Sequence, residues 1–173
     1  EPDILIGTQI GQYEIKRVIG SGGMGTVYEA EQQRPKRLVA LKVVKADLPS
    51  RSHLRRLEFE SEVLARLQHP HIAQVFEAGM HRDSEGRMLP YFAMEYVEGT
   101  TLRDLLKSRV RLPPTEALPL LRQIAEALGY AWRQQQLVHR DVKPDNIIIT
   151  TRGVAKLTDL GLARPAGDLG RNE

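Results

Sequence analysis

Cysteine is absent from the 173-residue chain, which excludes a disulfide framework, a thiolate metal site and a cysteine nucleophile. The absence fits a reducing compartment. A cytoplasmic location is the expectation, with membrane anchoring outside this segment left open. No uninterrupted apolar run approaches a membrane span, and the longest are short, as at Ile147-Ile148-Ile149. The amino terminus, Glu1-Pro2-Asp3, lacks the positive start and apolar stretch of a secretory signal. Repeats and low-complexity tracts are missing as well. A formal net charge of +3 is too slight a bias for a nucleic-acid partner, which needs a clustered basic footprint. The densest basic group, Arg51, His53, Arg55 and Arg56, reads as the solvated face of a starting helix. What is present is ordinary for a soluble globular domain, with 41% hydrophobic and 27% charged residues. The length suffices to bury a sizeable core.

Element types change about midway. Tyr13 to Ile19 has a strand pattern, Gly20 to Gly25 forms a glycine-rich turn, and Thr26 to Glu31 alternates as a second strand. After a turn at Arg34-Pro35, the β-branched run Leu38 to Val44 predicts a third strand, broken only by Lys42. Ser52 to Leu67 has helical spacing and ends at His69-Pro70. Ile72 to Ala78 and Met88 to Met94 read as strands around the turn Asp83 to Gly86. Past Gly99 helices take over. Thr101 to Ser108 is short. Thr115 to Gln135 is long, with Ala117, Leu120, Leu121, Ile124 and Leu128 at helical spacing and Thr115 as the expected N-cap. Short strands at 147–149 and 155–157 bracket a turn at Arg152-Gly153. The pattern predicts an α+β chain with a boundary near Glu98-Gly99, dividing it into 1–98 and 99–173.

Several strings carry chemistry. Gly20-x-Gly22-x-x-Gly25-x-Val27 is weak alone. Strand rather than helix follows it, unlike a dinucleotide fingerprint, and Thr26 stands where a Walker A loop needs lysine. A hairpin tip whose bare backbone can close over phosphates remains. Lys42 in the apolar Val39-Ala40-Leu41-Lys42 is costly to bury without a nearby anion, and Glu58, Glu60 and Glu62 are candidate partners. His139-Arg140-Asp141-Val142-Lys143-Pro144-Asp145-Asn146 is a polar loop between apolar elements. There Asp141 can orient a hydroxyl and accept its proton, Lys143 can neutralise migrating charge, and Asn146 can offer a metal an oxygen. Asp159-Leu160-Gly161 suits a metal ligand at a loop start, although alone it reads as an Asp-x-Gly turn.

In this order, from Tyr13 onward, these strings resemble the signature set of protein kinases. The resemblance implies a two-lobe kinase fold, its small β-rich lobe complete and its large helical lobe only partly present. It implies that Gly20, Gly22 and Gly25 cover the phosphates of ATP and that Lys42 contacts them and pairs with Glu60. It also implies that Asp141 is the catalytic aspartate, with Asn146 and Asp159 holding magnesium, or manganese in its place. By the same comparison Val27, Ala40 and Ile148 sandwich the adenine and Ile19 belongs to the nucleotide site. Met94 is the gatekeeper, and Glu95, Tyr96 and Val97 form the hinge. Lys143, placed as in His-Arg-Asp-x-Lys, is similar to the serine/threonine class. The wording Gly-Gly-Met-Gly-Thr-Val-Tyr together with Asp-Val-Lys-Pro-Asp-Asn resembles bacterial members of that family.

The implied activity is transfer of the γ-phosphoryl of MgATP to serine or threonine hydroxyls of a protein substrate, with a nucleotide-holding pseudokinase or a scaffold fragment as the rival. Leu160 departs from the usual phenylalanine and spares Asp159. No Ala-Pro-Glu string follows before Glu173, so the segment is expected to be inactive alone. Leu121, Ile124 and Leu128 are expected to be exposed, which leaves room for self-association.

Overall fold

β-Branched and apolar residues at alternate positions favour extended chain, and six such segments assemble into one antiparallel sheet in the computed structural model, which describes residues 5–22, 25–44, 62–159 and 164–165. The chain divides into two units, 1–66 with 74–96 and 67–73 with 97–173.

The first unit holds β1 (Gln9–Ile10), β2 (Tyr13–Gly22), β3 (Gly25–Gln32), β4 (Arg37–Val44), β5 (Val75–Arg82) and β6 (Met88–Glu95), in the order β1-β2-β3-β4-β6-β5. β3 and β4 pair without a slip from Gly25↔Val44 to Gln32↔Arg37. Period-two alternation sends Ile15, Tyr28, Ala30, Val39, Leu41, Tyr91 and Ala93 to one face, where they form the core with Ile10 and Tyr13. Tyr91 reaches this core because two glycines yield space. A Cβ on Gly11, at φ +57, would lie 2.7 Å from the Tyr91 hydroxyl, and one on Gly79, across the ladder, would overlap it.

The expected strand at 72–78 begins later, at Val75. Ile72 instead makes a parallel bridge to Leu157 within the second unit, because the backbone groups on either side of it bond there. Of the expected helix 52–67, residues 62–65 are helical and 52–61 lie outside the described residues.

The second unit holds β7 (Gly99–Thr101), α1 (Leu102–Arg109), α2 (Pro114–Gln135), β8 (Leu137–Val138), a 3-10 turn (Pro144–Asn146), β9 (Ile147–Thr150), β10 (Ala155–Leu157) and β11 (Arg164–Pro165). The sheets run β10-β9-β7 and β11-β8. Thr101 caps α1, its hydroxyl accepting the Asp104 N–H at 3.1 Å.

The cap of α2 differs from the expected Thr115. The helix opens one residue earlier at Pro114, and Pro113 occupies the cap position without a side-chain bond. Proline is at home there because that position's N–H has no intrahelical acceptor anyway. Pro119 lacks the N–H that would bond Thr115, yet the helix continues to Gln135. Ile124 is buried with Ile147, Ala155 and Leu157, and Leu128 packs on that cluster. Of the three α2 residues expected to be exposed, Leu121 alone is, at 61%. Ile124 and Leu128 find partners in β9 and β10, elements too short to have been credited with covering a helix.

Candidate active site

Residues paired across a sheet share a face, as do residues two apart along a strand. In the first unit Val27 pairs with Lys42 and Lys42 with Phe92, while Ala40 pairs with Met94. Register therefore collects Val27, Ala40, Lys42, Phe92 and Met94 on the face opposite the Tyr28–Leu41–Ala93 row. Lys42 is buried at 7% exposure, a position that favours an anionic partner. Gly20 pairs with Val27 and Gly22 with Gly25, so the glycines form the end of the β2–β3 hairpin. Gly25 has φ +152, and a Cβ there would run into the Val43 carbonyl. Ile19 is half-exposed beside a ladder irregularity between Val18 and Gly20.

Glu95 is clamped to Gln74. Its backbone N–H donates to the Gln74 carbonyl at 2.8 Å, and its Oε2 accepts the Gln74 N–H at 3.2 Å. The Tyr96 hydroxyl accepts from Arg17 at 3.3 Å. Glu60, Gly23, Met24, Leu160 and Gly161 lie outside the described residues. Val97 and Ile148 belong to the second unit, where Ile148 pairs with Lys156 and with Thr101.

The second unit brings the loop after β8 together tightly. Asn146, buried at 6% exposure, donates from Nδ2 to the Asp141 carbonyl at 2.8 Å and to Asp141 Oδ2 at 3.0 Å. Lys143 Nζ sits 3.0 Å from the same Oδ2. The Lys143 ammonium, aided by Asn146, holds the Asp141 carboxyl below the usual carboxylate range, and Asp141 in turn raises Lys143. Asp141 is therefore an anion at neutral pH. Among the described residues Oδ2 takes these bonds and Oδ1 takes none, so Oδ1 is the oxygen left open.

His139 braces this loop from inside. Its Nδ1 accepts the Asp141 N–H at 3.2 Å, which leaves Nε2–H to donate to the Thr158 carbonyl at 2.9 Å. Thr158 is also tied to Asn146, whose carbonyl accepts the Thr158 N–H at 2.8 Å and its hydroxyl at 3.2 Å. Asp159 follows directly, at φ 57. Arg140 takes φ 68 in the loop. Left-handed backbone on non-glycine residues clusters at functional sites. His139 has no role of its own in the sequence motif, and Thr158 carries no sequence signal, because any residue type could make its N–H and carbonyl bonds and serine could make its hydroxyl bond. Nor does the sequence mark Arg103 of α1, which holds Asp145 from Nη2 at 3.2 Å. That pair is half-exposed and adds little stability.

By type, the oxygen donors that Asn146 and Asp159 carry are those a hard divalent cation such as magnesium takes. Both bonds of the Asn146 nitrogen go to Asp141, so its amide oxygen is the atom left to offer. Thr158, whose N–H and hydroxyl bond the Asn146 carbonyl, immediately precedes Asp159. One amide oxygen and one carboxylate suit an ion that fills its octahedron with water and phosphate oxygens.

A family model, the protein kinase domain, matches residues 13–170, and the chain belongs to that family. It is 40% identical over 166 residues to serine/threonine-protein kinase PknD of Mycobacterium tuberculosis, a match covering 95% of this chain and 24% of PknD. To serine/threonine-protein kinase PrkC of Bacillus subtilis it is 41% identical over 162 residues, covering 92% of this chain and 24% of PrkC. The resemblance to bacterial serine/threonine kinases read from the glycine string and from Asp-Val-Lys-Pro-Asp-Asn is thereby borne out. The crystal structure of the M. tuberculosis PknI kinase domain superposes with a TM-score of 0.79 at 34% identity, covering 94% of this chain and 64% of that one. The chain thus spans about a quarter of the curated relatives' length. Among the described residues no helix is long and apolar enough to cross a membrane.

Proposed function

We propose that the intact protein transfers the γ-phosphoryl group of MgATP to serine or threonine hydroxyls of protein substrates. The observation that carries this is the inequality of the two Asp141 oxygens, Oδ2 held by Lys143 and Asn146 and Oδ1 open. A substrate hydroxyl donates its hydrogen bond to Oδ1. Its oxygen then forms the new bond to γ-phosphorus as the bond to the β-phosphate bridging oxygen breaks. The proton passes to Asp141 late, because a carboxyl held low is a weak base and serves chiefly to orient. Lys143, beside the same carboxylate, offsets charge on the migrating group. Misplacement of such a group by on the order of 1 Å costs about a hundredfold in rate, which makes the His139 and Asn146 braces part of the chemistry.

On this reading Gly20, Gly22 and Gly25 lie over the phosphates and Lys42 binds them with Glu60 as its partner. Ile19, Val27, Ala40, Met94, Glu95, Val97 and Ile148 receive the nucleoside. Asn146 and Asp159 hold magnesium, or manganese in its place, which when bound neutralises phosphate charge. Residues 1–173 alone transfer little, and they self-associate through apolar surface. Leu118, Leu121 and Trp132 are exposed on α2 at 64%, 61% and 49%. A groove of about 360 Å³ opens nearby, lined in part by Leu102, Leu106, Leu112, Leu120 and Ile124.

A radiolabelled-phosphate assay on the intact protein tests the activity. Asp141→Asn should lower turnover by roughly 10²–10⁴-fold with ATP affinity unchanged. Wild-type turnover by that variant, or none by the unaltered protein, ends the proposal.

A further inference from the structure

β10 is the strand that delivers Asp159. One of its edges pairs with β9, from Ala155↔Ile149 to Leu157↔Ile147. The other edge presents the N–H and C=O groups of Ala155 and Leu157, residues 0% and 1% exposed, where an unmatched backbone group is costly.

Leu157 is matched by backbone. Its N–H donates to the His71 carbonyl and its carbonyl accepts the Ala73 N–H, both at 2.9 Å, around the parallel bridge to Ile72. Continued by one step, that ladder would give Ala155 the His71 N–H and the His69 carbonyl. Both are engaged elsewhere. The His71 N–H donates to His69 Nδ1 at 3.1 Å, and the His69 carbonyl accepts the Ile72 N–H at 3.1 Å. Side chains take their places. His71 Nδ1 donates to the Ala155 carbonyl at 2.9 Å, and Gln123 Oε1 of α2 accepts the Ala155 N–H at 2.7 Å.

The two side chains therefore complete the outer edge of a strand that ends two residues before Asp159. Thr158, between them, is bonded to Asn146 and His139. The left-handed basin at Asp159 is narrow, so a displaced strand cannot easily be corrected by rotating the aspartate backbone.

We propose that His71 and Gln123 are positioning residues for the metal-holding carboxylate of Asp159, setting the divalent-cation affinity of the nucleotide complex while touching neither cation nor nucleotide. The proposal rests on the reading of Asp159 as a magnesium ligand. Partners one shell behind a ligand commonly govern metal affinity in this way.

The test is calorimetric titration of the intact protein with ADP, once with magnesium and once with EDTA. Gln123→Met and His71→Leu should reduce the magnesium-dependent tightening by about tenfold, leave metal-free ADP affinity within about twofold, and be rescued by Gln123→Glu and His71→Asn, which keep the acceptor and the donor. If His71→Leu does not fold, the near-isosteric Gln123→Met and its rescue decide alone. Full magnesium-dependent tightening in Gln123→Met overturns the positioning role, as does an equal loss of metal-free affinity or a failure of rescue. Asp159→Ala separates the two readings. If it abolishes the tightening while Gln123→Met does not, only the positioning role falls. If Asp159→Ala itself retains the tightening, the ligand reading and the positioning role fall together.

Discussion

The side-chain nitrogen of Asn146 donates to both the carbonyl and the carboxylate Oδ2 of Asp141, at 2.8 and 3.0 Å. One amide thereby closes the loop between them and selects which carboxylate oxygen stays open. Its own amide oxygen takes no part in holding Asp141. The arrangement is compact because both ends lie in one loop, turned by the 3-10 segment Pro144–Asn146.

Removing Lys143 should move the titration of Asp141. The ammonium is the leading cause of the depressed carboxyl. A depressed folded value means that the pair stabilises the fold above the unfolded value, about 3.9, and that this is lost as pH falls through the folded value. In Lys143→Ala the folded value rises, so the Asp141 carboxyl carbon should titrate at higher pH by NMR. An unshifted titration would assign the depression to Asn146 instead.

Gly25→Ala tests the hairpin. A Cβ meets the Val43 carbonyl, and φ +152 suits only glycine. Strain of about 1–3 kcal/mol is expected, seen as a lower melting temperature together with weaker ATP binding. Gly22→Ala, where nothing lies within 4 Å of the added carbon, should melt close to wild type. Equal melting of both variants would remove the steric argument.

Lys42→Met should cost nucleotide affinity. Hydrogen bonds to charged groups contribute about 1.5–3 kcal/mol, on the order of tenfold to a hundredfold in binding. Calorimetry with MgATP measures the loss, and undiminished affinity would remove Lys42 from the site.

Acid should loosen the second unit through His69. Its imidazole titrates below the usual value, first from burial and then from His71, with Arg133 adding to the depression and Glu126 opposing it. The ring packs on Tyr130 at 4.9 Å, and its Nδ1 must keep a lone pair for the His71 N–H. A depressed histidine stabilises the fold above its unfolded value of about 6.5, and that contribution is lost as pH falls through the folded value. Melting temperature should therefore drop as pH is lowered past neutrality, and less so in His69→Asn, whose side-chain oxygen can accept the same N–H. Parallel melting curves for the two proteins would exclude His69 as the source.

Much of the candidate site was legible because its parts are local. His139 to Asn146 is one continuous string, and the glycines end a hairpin whose strands are written in period-two alternation. The same alternation placed Val27, Ala40, Lys42 and Met94 on one face once the ladders formed. Element ends were less legible. The expected N-cap at Thr115 yielded to Pro113-Pro114, since a proline already in helical φ opens a helix without a side-chain cap. The strand expected from Ile72 lost its start because His71 and Ala73 bond Leu157 instead.

The sequence by itself determined the family, the types of the longer strands and of the helices, and the order of the glycine, lysine, His-Arg-Asp and Asp-Leu-Gly strings. Each is set by local backbone preference or by side-chain chemistry at fixed spacing. Tertiary structure alone decided which oxygen of Asp141 is open and how the strand before Asp159 is held. His71 and Gln123 lie 84 and 32 residues from Ala155, and nothing in their neighbourhoods marks them for it. They are recruited because folding buries two backbone groups that the interrupted ladder leaves unmatched, and a buried polar group takes whatever partner packing brings within reach.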